Sequence, residues 1–361
     1  MIILPFFYNY LMYNFNVNTM FIFEHLSFLV IYNKTRGETM KHFLKSAIIA
    51  ASIVSTSSIA DVVKIDAVTL APKPVYINKP FKAFVEEVNS KFAGQIEINW
   101  RGGPEIMPPF KQAEGVRNGS VDMTYTSPSY YQGLVPTSGT MNLSFKNYEQ
   151  IAVTDYHERM TELHAEKDLV FLGEIPATEL NFMIYMGEEV SSLEDLKGKR
   201  IRVFPTLLPL VKALGAEPIV MAMGDIFTAM ERGTIDGYMQ GPLAQAQQFE
   251  GLVKTVIFPG VYRAGFPVLI NKDTWGMMSA NLQQELTSFL RNDFAPRQDF
   301  IWGDDIAANV ELMKGAGFNI LQLPDSEVAR YEKMAMDAAW AVTADNAGAE
   351  VAAELRSMLD K

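Results

Sequence analysis

Few side chains in this sequence have the types and spacing that chemistry needs. Arg202 is the first of them. It lies in Arg200-Ile201-Arg202-Val203-Phe204, an alternating run that reads as a strand. Ile201 and Val203 then face one side, and Arg202 the other with Phe204 beside it. A guanidinium keeps its proton and presents a planar fork that fits both oxygens of a carboxylate. On a strand it can equally face solvent or close an internal ion pair. Tyr125, Ser127, Tyr130 and Tyr131 gather at the end of another strand, where they offer hydroxyls and ring faces or simply pack. Tyr76 lies just beyond the first strand. Glu105 sits in the loop Gly102-Gly103-Pro104-Glu105, where it can bind a ligand hydroxyl or amine or accept backbone bonds of its own loop. His157 and His164, seven apart on one helix, could ligate a metal. No carboxylate is fixed beside them in the sequence, so they read as surface or packing residues.

Other chemistries lack their parts. The chain has no cysteine, which removes disulfides, thiolate metal sites and thiol nucleophiles. There is no Gly-x-Ser-x-Gly elbow and no phosphate loop, and Gly315-Ala316-Gly317 lacks the rest of a dinucleotide fingerprint. Asp304-Asp305 and Glu86-Glu87 read as solvated helix faces, which leaves a carboxylate-only hydrolase as a minor alternative. No cofactor or metal is expected. The formal net charge of −11 argues against nucleic acid as a partner. It leaves room for a local positive site that takes an anion.

From Asp61 onward, strand-like and helix-like patterns alternate almost to the end, which predicts α/β layers. Phe81, Phe84, Val85, Val88 and Phe92 recur on one helical face, with Asn78 as its expected N-cap and Gly94 as its stop. Tyr148–Lys167 reads as one helix with Val153 on its apolar side. Asn281 and Gln284 read as a capping box opening a long helical tract to about Lys314, interrupted near Pro296. Val116-Arg117-Asn118-Gly119-Ser120-Val121-Asp122 is echoed by Met230-Glu231-Arg232-Gly233-Thr234-Ile235-Asp236. Each joins a helix end, a glycine, a hydroxyl residue and a strand start. Two such units predict two similar lobes, with strand ends facing one another across a cleft.

Leu196-Lys197-Gly198-Lys199-Arg200-Ile201-Arg202-Val203, Ala213-Leu214-Gly215-Ala216-Glu217-Pro218 and Ala229–Gly237 resemble the solute-binding proteins of tripartite ATP-independent periplasmic (TRAP) transporters, DctP type. Gly102–Glu105 and Asn118–Asp122 match as well, and the likeness covers roughly residues 62–345. It implies a type II periplasmic-binding-protein-like fold, with two α/β lobes, hinge-crossing strands and a long bracing helix. Residues 61–180 plus 268–308 are expected in lobe 1, and 181–267 plus 309–361 in lobe 2. The resemblance implies a receptor that is not an enzyme and is not embedded in the membrane when mature. Its partners would be a small organic-acid ligand and the membrane subunits of a TRAP permease. An ATP-driven transporter's binding protein is the alternative. Arg202 matches the family's carboxylate-binding arginine, and Phe204, Tyr238, Gln240, Tyr76, Glu105, Tyr125, Ser127 and Tyr130 complete the expected site. Asp236-Gly237-Tyr238-Met239-Gln240-Gly241-Pro242 carries one residue more than the family pattern, so the family's contacting Asn aligns with Gln240 or Gly241. Leu180–Ile184 lacks the second arginine of sialic-acid-type members. These departures favour a monocarboxylate or an apolar-bodied acid over a densely charged ligand.

Met40-Lys41-His42-Phe43-Leu44-Lys45, the apolar stretch 46–59 and Ser58-Ile59-Ala60 have the order of a signal peptide, so 40–60 is expected to direct export to the periplasm. Residues 1–39 are expected to be translated upstream sequence from a start placed too early, since Arg36-Gly37-Glu38 is what a purine-rich ribosome-binding site would encode; a true N-terminal membrane anchor is the alternative. Mass spectrometry of the exported protein is expected to find its N-terminus near Asp61. An intact N-terminus at Met1 would contradict both readings.

Overall fold

The computed structural model describes residues 61–360, so the segments assigned to 1–39 and 40–60 lie outside the described residues. The chain builds two sheets. One has the order β2-β1-β3-β10-β4, from Val63–Thr69 (β1), Ile96–Gly102 (β2), Met123–Tyr125 (β3), Leu169–Ala177 (β4) and Ala264–Asn271 (β10). The other has the order β11-β9-β5-β8-β6-β7, from Phe182–Met186 (β5), Arg200–Val203 (β6), Glu217–Val220 (β7), Gly237–Gln240 (β8), Thr255–Val261 (β9) and Asn319–Gln322 (β11). In each, a parallel trio (β2-β1-β3 or β7-β6-β8) meets an antiparallel pair (β10-β4 or β5-β9). The two sheets are two copies of one plan.

The sequence echo explains why. Gly119 and Gly233 both sit at positive φ, +76° and +65°, a conformation only glycine adopts without strain. After each, two amides return to one helical carbonyl: Ser120 and Val121 to Gly115, Thr234 and Ile235 to Ala229. Each unit then ends on an aspartate that grips the neighbouring parallel strand. Asp122 Oδ2 accepts from the Asp66 amide at 2.8 Å, and Asp236 Oδ2 from the Arg200 amide at 2.8 Å. Asp236 also chelates the Arg200 guanidinium, and this ion pair sets the start of β6 two residues before Arg202.

Two short segments cross between the sheets, from β4 to β5 through 178–181 and from β9 to β10 through Tyr262 and Arg263, and a longer helical connection leads from β10 to β11. Asn181 Nδ2 donates to Tyr262 O at 2.6 Å and ties the crossings together. Helix α1 (Lys79–Lys91) packs Phe81, Phe84, Val85 and Val88 onto the first sheet, each buried side chain contributing roughly 1.5–3 kcal/mol. Asn78 precedes it but does not cap it; its amide instead bonds Ala71 O and Pro72 O, pinning the loop after β1. The region 148–167 is two helices, and Val153 lies at the break, 88% exposed rather than on an apolar face. Tyr156–Ala165 is α2. Ser279, not Asn281, caps the helix at 280–288, accepting from the Leu282 amide. Pro296 has no N–H to give the preceding turn. The backbone widens there into a π turn, Phe289–Phe294, and continues as α3 (Ala295–Gly315). This helix spans the molecule. Trp302 packs near Phe266 of the first sheet, Asp299 accepts from the Thr178 amide and hydroxyl at the crossing, and Met313 meets Tyr185 of the second.

The first sheet takes up the chain again at Ala264, and the last helix, α4 (Ala349–Leu359), packs on α2. Glu354 of α4 pairs with Arg159 of α2, and Ser144 Oγ donates to Leu359 O.

A buried charge cluster anchors the second crossing. Arg263 Nη2 meets Glu174 Oε1 at 2.9 Å, and His157 Nε2 lies 3.5 Å from the same oxygen. Burial alone would raise the Glu174 pKa, but Arg263 and His157 outweigh it and hold the carboxyl below its usual range. His157 therefore has the carboxylate neighbour the sequence did not place, in an internal ion-pair cluster. Replacing Arg263 by Met leaves Glu174 buried without its cation. We expect urea unfolding to show a loss of about 3–5 kcal/mol; a wild-type midpoint would show that the pair is dispensable. His164 is also buried. It donates from Nδ1 to Met160 O and accepts at Nε2 from Tyr131, and burial pushes its pKa down to about 4. The unfolded chain binds that proton near pH 6.5 and the native state does not. Stability must therefore fall as pH drops from about 6.5 to about 4, by about 3 kcal/mol in full. The stability gap between wild type and His164→Gln should shrink across that window. A constant gap would exclude the titration.

Candidate functional site

The strand ends of both sheets open on one cavity of about 450 Å³. The first lobe supplies the loop after β1 (Leu70–Ala71–Pro72, Pro74–Ile77), then Ser127, Pro128 and Tyr130 after β3, and Asn142. The second lobe supplies Phe204 after β6, Gln240 and Gly241 at the end of β8, and Met223, Ile226 and Phe249. The first crossing adds Leu180, and the strands that leave the crossings add Phe182 and Ala264–Phe266. Not one lining residue carries a formal charge.

Arg202 stands behind this wall. It is fully buried on β6, between β7 and β8, where Arg202 pairs with Ile219 on one side and Tyr238 on the other. Its Nε and Nη2 donate to Met221 O at 3.0 and 2.8 Å, and its Nη1 donates to Met239 O at 3.2 Å. Nη1 also donates to Gln240 Oε1 at 3.1 Å. Every one of these acceptors is neutral. Burial lowers the Arg202 pKa, while the Tyr130 phenol beside it and the more distant Asp225 favour the charged form. Guanidinium groups stay protonated even so. The other fully buried guanidinium among the described residues, Arg263, has Glu174 as its counter-ion.

The expected site residues separate into two groups. Tyr76, Ser127, Tyr130, Phe204 and Gln240 line the cavity, with Arg202 one hydrogen bond behind Gln240. Tyr125, Tyr238 and Glu105 do not line it. The Tyr125 ring stacks on Phe81 and its hydroxyl donates to Ile77 O, so it props the cavity wall from behind. Tyr238 lies over Tyr185 with ring centroids 4.8 Å apart and donates to Gln245, in the core of the second lobe. Glu105 accepts from the Gly103 amide and shapes its own loop. Asn142, Phe182, Leu180 and Phe249 line the cavity without having been picked from sequence. They come from loops and from the crossing, away from the ends of the parallel strands, and no motif marks them. The lobes also touch through Ser129 and Thr206, whose hydroxyls are 2.6 Å apart, and through the Met223 amide, which donates to Tyr130. Among the described residues, no three acidic or histidine side chains are placed to hold a metal, and no helix is long and apolar enough to cross a membrane.

A cleft between two α/β lobes, with two crossings, a spanning helix and a buried arginine at its edge, is the architecture of a solute receptor. The profile of the DctP family, described as bacterial extracellular solute-binding protein, family 7, matches residues 68–345, and the chain belongs to that family. A crystal structure of a TRAP periplasmic solute-binding protein from Desulfovibrio salexigens, with bound orotic acid, superposes with a TM-score of 0.73 at 17% identity, covering 82% of this chain and 97% of that one. DctP7 of Bordetella pertussis, an extracytoplasmic solute receptor binding pyroglutamic acid, superposes at 0.68 and 17% identity, covering 82% and 99%. These likenesses establish the fold. Among curated relatives, the uncharacterized protein YiiZ of Salmonella typhimurium is 26% identical over 161 residues, 42% of this chain and 49% of its own length. The aligned region thus spans about half of that relative.

Proposed function

We propose that the protein is a periplasmic receptor for a small organic acid, which it holds through Arg202 and delivers to the membrane subunits of a TRAP permease. The observation that carries this reading is the unbalanced charge of Arg202. A buried cation needs an anion or a dense set of dipoles. Here the protein supplies three backbone bonds and one carboxamide, and no carboxylate. A ligand carboxylate provides the missing charge, and charge-assisted bonds to a guanidinium are the strong class of hydrogen bond.

The cavity walls set the rest of the ligand. With no cation among them and Arg202 alone behind them, a second carboxylate would be buried without a partner. Proline, leucine, isoleucine and phenylalanine make up much of the lining and favour an apolar body, and any hydroxyl left without a partner there would cost about 1–3 kcal/mol. The reading is therefore an acid of one charge with a largely apolar body. Orotic and pyroglutamic acids, held by the two structural relatives, are compact ring acids of a single carboxylate. Closure about the two crossings would bury the ligand and present one bound shape to the permease.

The test is calorimetry with 4-methyl-2-oxopentanoate, 3-phenylpropanoate, succinate and D-gluconate. The first two are expected to bind and the last two to bind at least tenfold more weakly. Arg202→Met should cost about 100-fold or more in affinity, because the ligand charge loses its partner. Arg202→Lys keeps the charge but not the fork and should fall between them. Unchanged affinity in Arg202→Met would remove the proposed role.

A further inference from the structure

Arg202 does not itself line the cavity; two side chains stand between its guanidinium and the open space, Gln240 and Tyr130. Tyr130 is anchored. Its hydroxyl accepts from the Met223 amide at 3.3 Å and its ring packs on Phe110 with centroids 4.5 Å apart. Gln240 is the looser of the two. It ends strand β8, is partly exposed into the cavity, and among the described residues makes one side-chain hydrogen bond, from Arg202 Nη1 to its Oε1. The remaining bonds of Arg202 go to Met221 O and Met239 O, main-chain atoms at the ends of neighbouring strands that a ligand cannot push aside.

We infer that Gln240 is a stand-in for the ligand: its carboxamide oxygen occupies the guanidinium donor that the ligand carboxylate takes, and binding displaces it. The inference rests on the carboxylate reading of Arg202 and adds the step by which the acid reaches a charge walled off from solvent. The chemistry fits. A carboxamide oxygen has the geometry of half a carboxylate without its charge, so it satisfies the buried N–H while the site is empty and yields to a stronger acceptor. A carboxylate at the same position would not yield. A neutral ligand oxygen offers no gain over the carboxamide, so the exchange selects for anions. Gln240 is on this account a specificity-determining residue that acts by competing with the ligand.

Two variants test it, using the acid of the four-member panel that the wild type binds most tightly. Gln240→Met keeps length and removes the competing oxygen; it should bind that acid as tightly as the wild type or tighter, with faster association. Gln240→Glu builds a permanent internal partner for Arg202. It should lose affinity by about 100-fold or more while its ligand-free thermal midpoint rises. Weaker binding by Gln240→Met would make the carboxamide a ligand contact and overturn the displacement. Wild-type affinity in Gln240→Glu would overturn it as well. Either result leaves the Arg202 reading standing, since Arg202→Met tests that separately. If the wild type binds none of the four acids, the carboxylate reading fails and the displacement fails with it.

Discussion

The site depends on one positive charge buried without an internal counter-ion. Arg202 can be held there because β6 runs between β7 and β8, whose chain ends turn two carbonyls, Met221 O and Met239 O, toward the guanidinium. Those dipoles replace much of the lost water but leave the net charge in place. Three other arginines are placed differently: Arg291, which also donates to the Phe171 and Leu172 carbonyls, has Glu158 at 3.6 Å. Arg263 has Glu174, and Arg200 has Asp236 in a chelate. Arg202 has no such carboxylate bonded to it, and its proposed role rests on that contrast.

The surrounding architecture serves that charge by repetition. The same turn, glycine and aspartate appear in both lobes, and each aspartate fixes the register of a parallel strand. In the first lobe this directs β1 and β3 at the cavity with Leu70 to Ile77 and Ser127 beyond them. In the second it directs β6 and β8, carrying Phe204 and Gln240. The spanning helix α3 bonds to the first lobe, the crossing and the second lobe in turn, through Asp305 to Lys79, Asp299 to Thr178, and Asn309 to the Ala244 amide. The short crossings at 178–181 and 262–263 and this helix are the connections between the two sheets. The Arg263–Glu174 pair ties the second of these to β4.

Several local readings failed for one kind of reason. Asn78 and Asn281 have the right type for helix caps, yet Asn78 is taken by carbonyls of the loop after β1 and Ser279 holds the other cap. Val153 matched the helical period only because the break before Tyr156 is invisible to it. His157 looked unpaired because Glu174 is remote in sequence and reaches it only when β4 lies against α2. A side chain near a strand end also carries no mark of which way it points: Tyr130 turns into the cavity, while Tyr125 and Tyr238 turn into the cores.

The sequence by itself determined the alternation of elements, the duplicated helix–glycine–strand unit and the arginine on the strand that leads into Phe204. These follow from local rules: apolar period, the backbone freedom of glycine, and the permanent charge of a guanidinium. Only the tertiary structure decided which side chains form the walls, that no charged group is among them, and that Gln240 lies between the cavity and Arg202. Those facts arise from contacts between segments far apart in the chain, where packing and burial select one orientation among several that the local sequence allows.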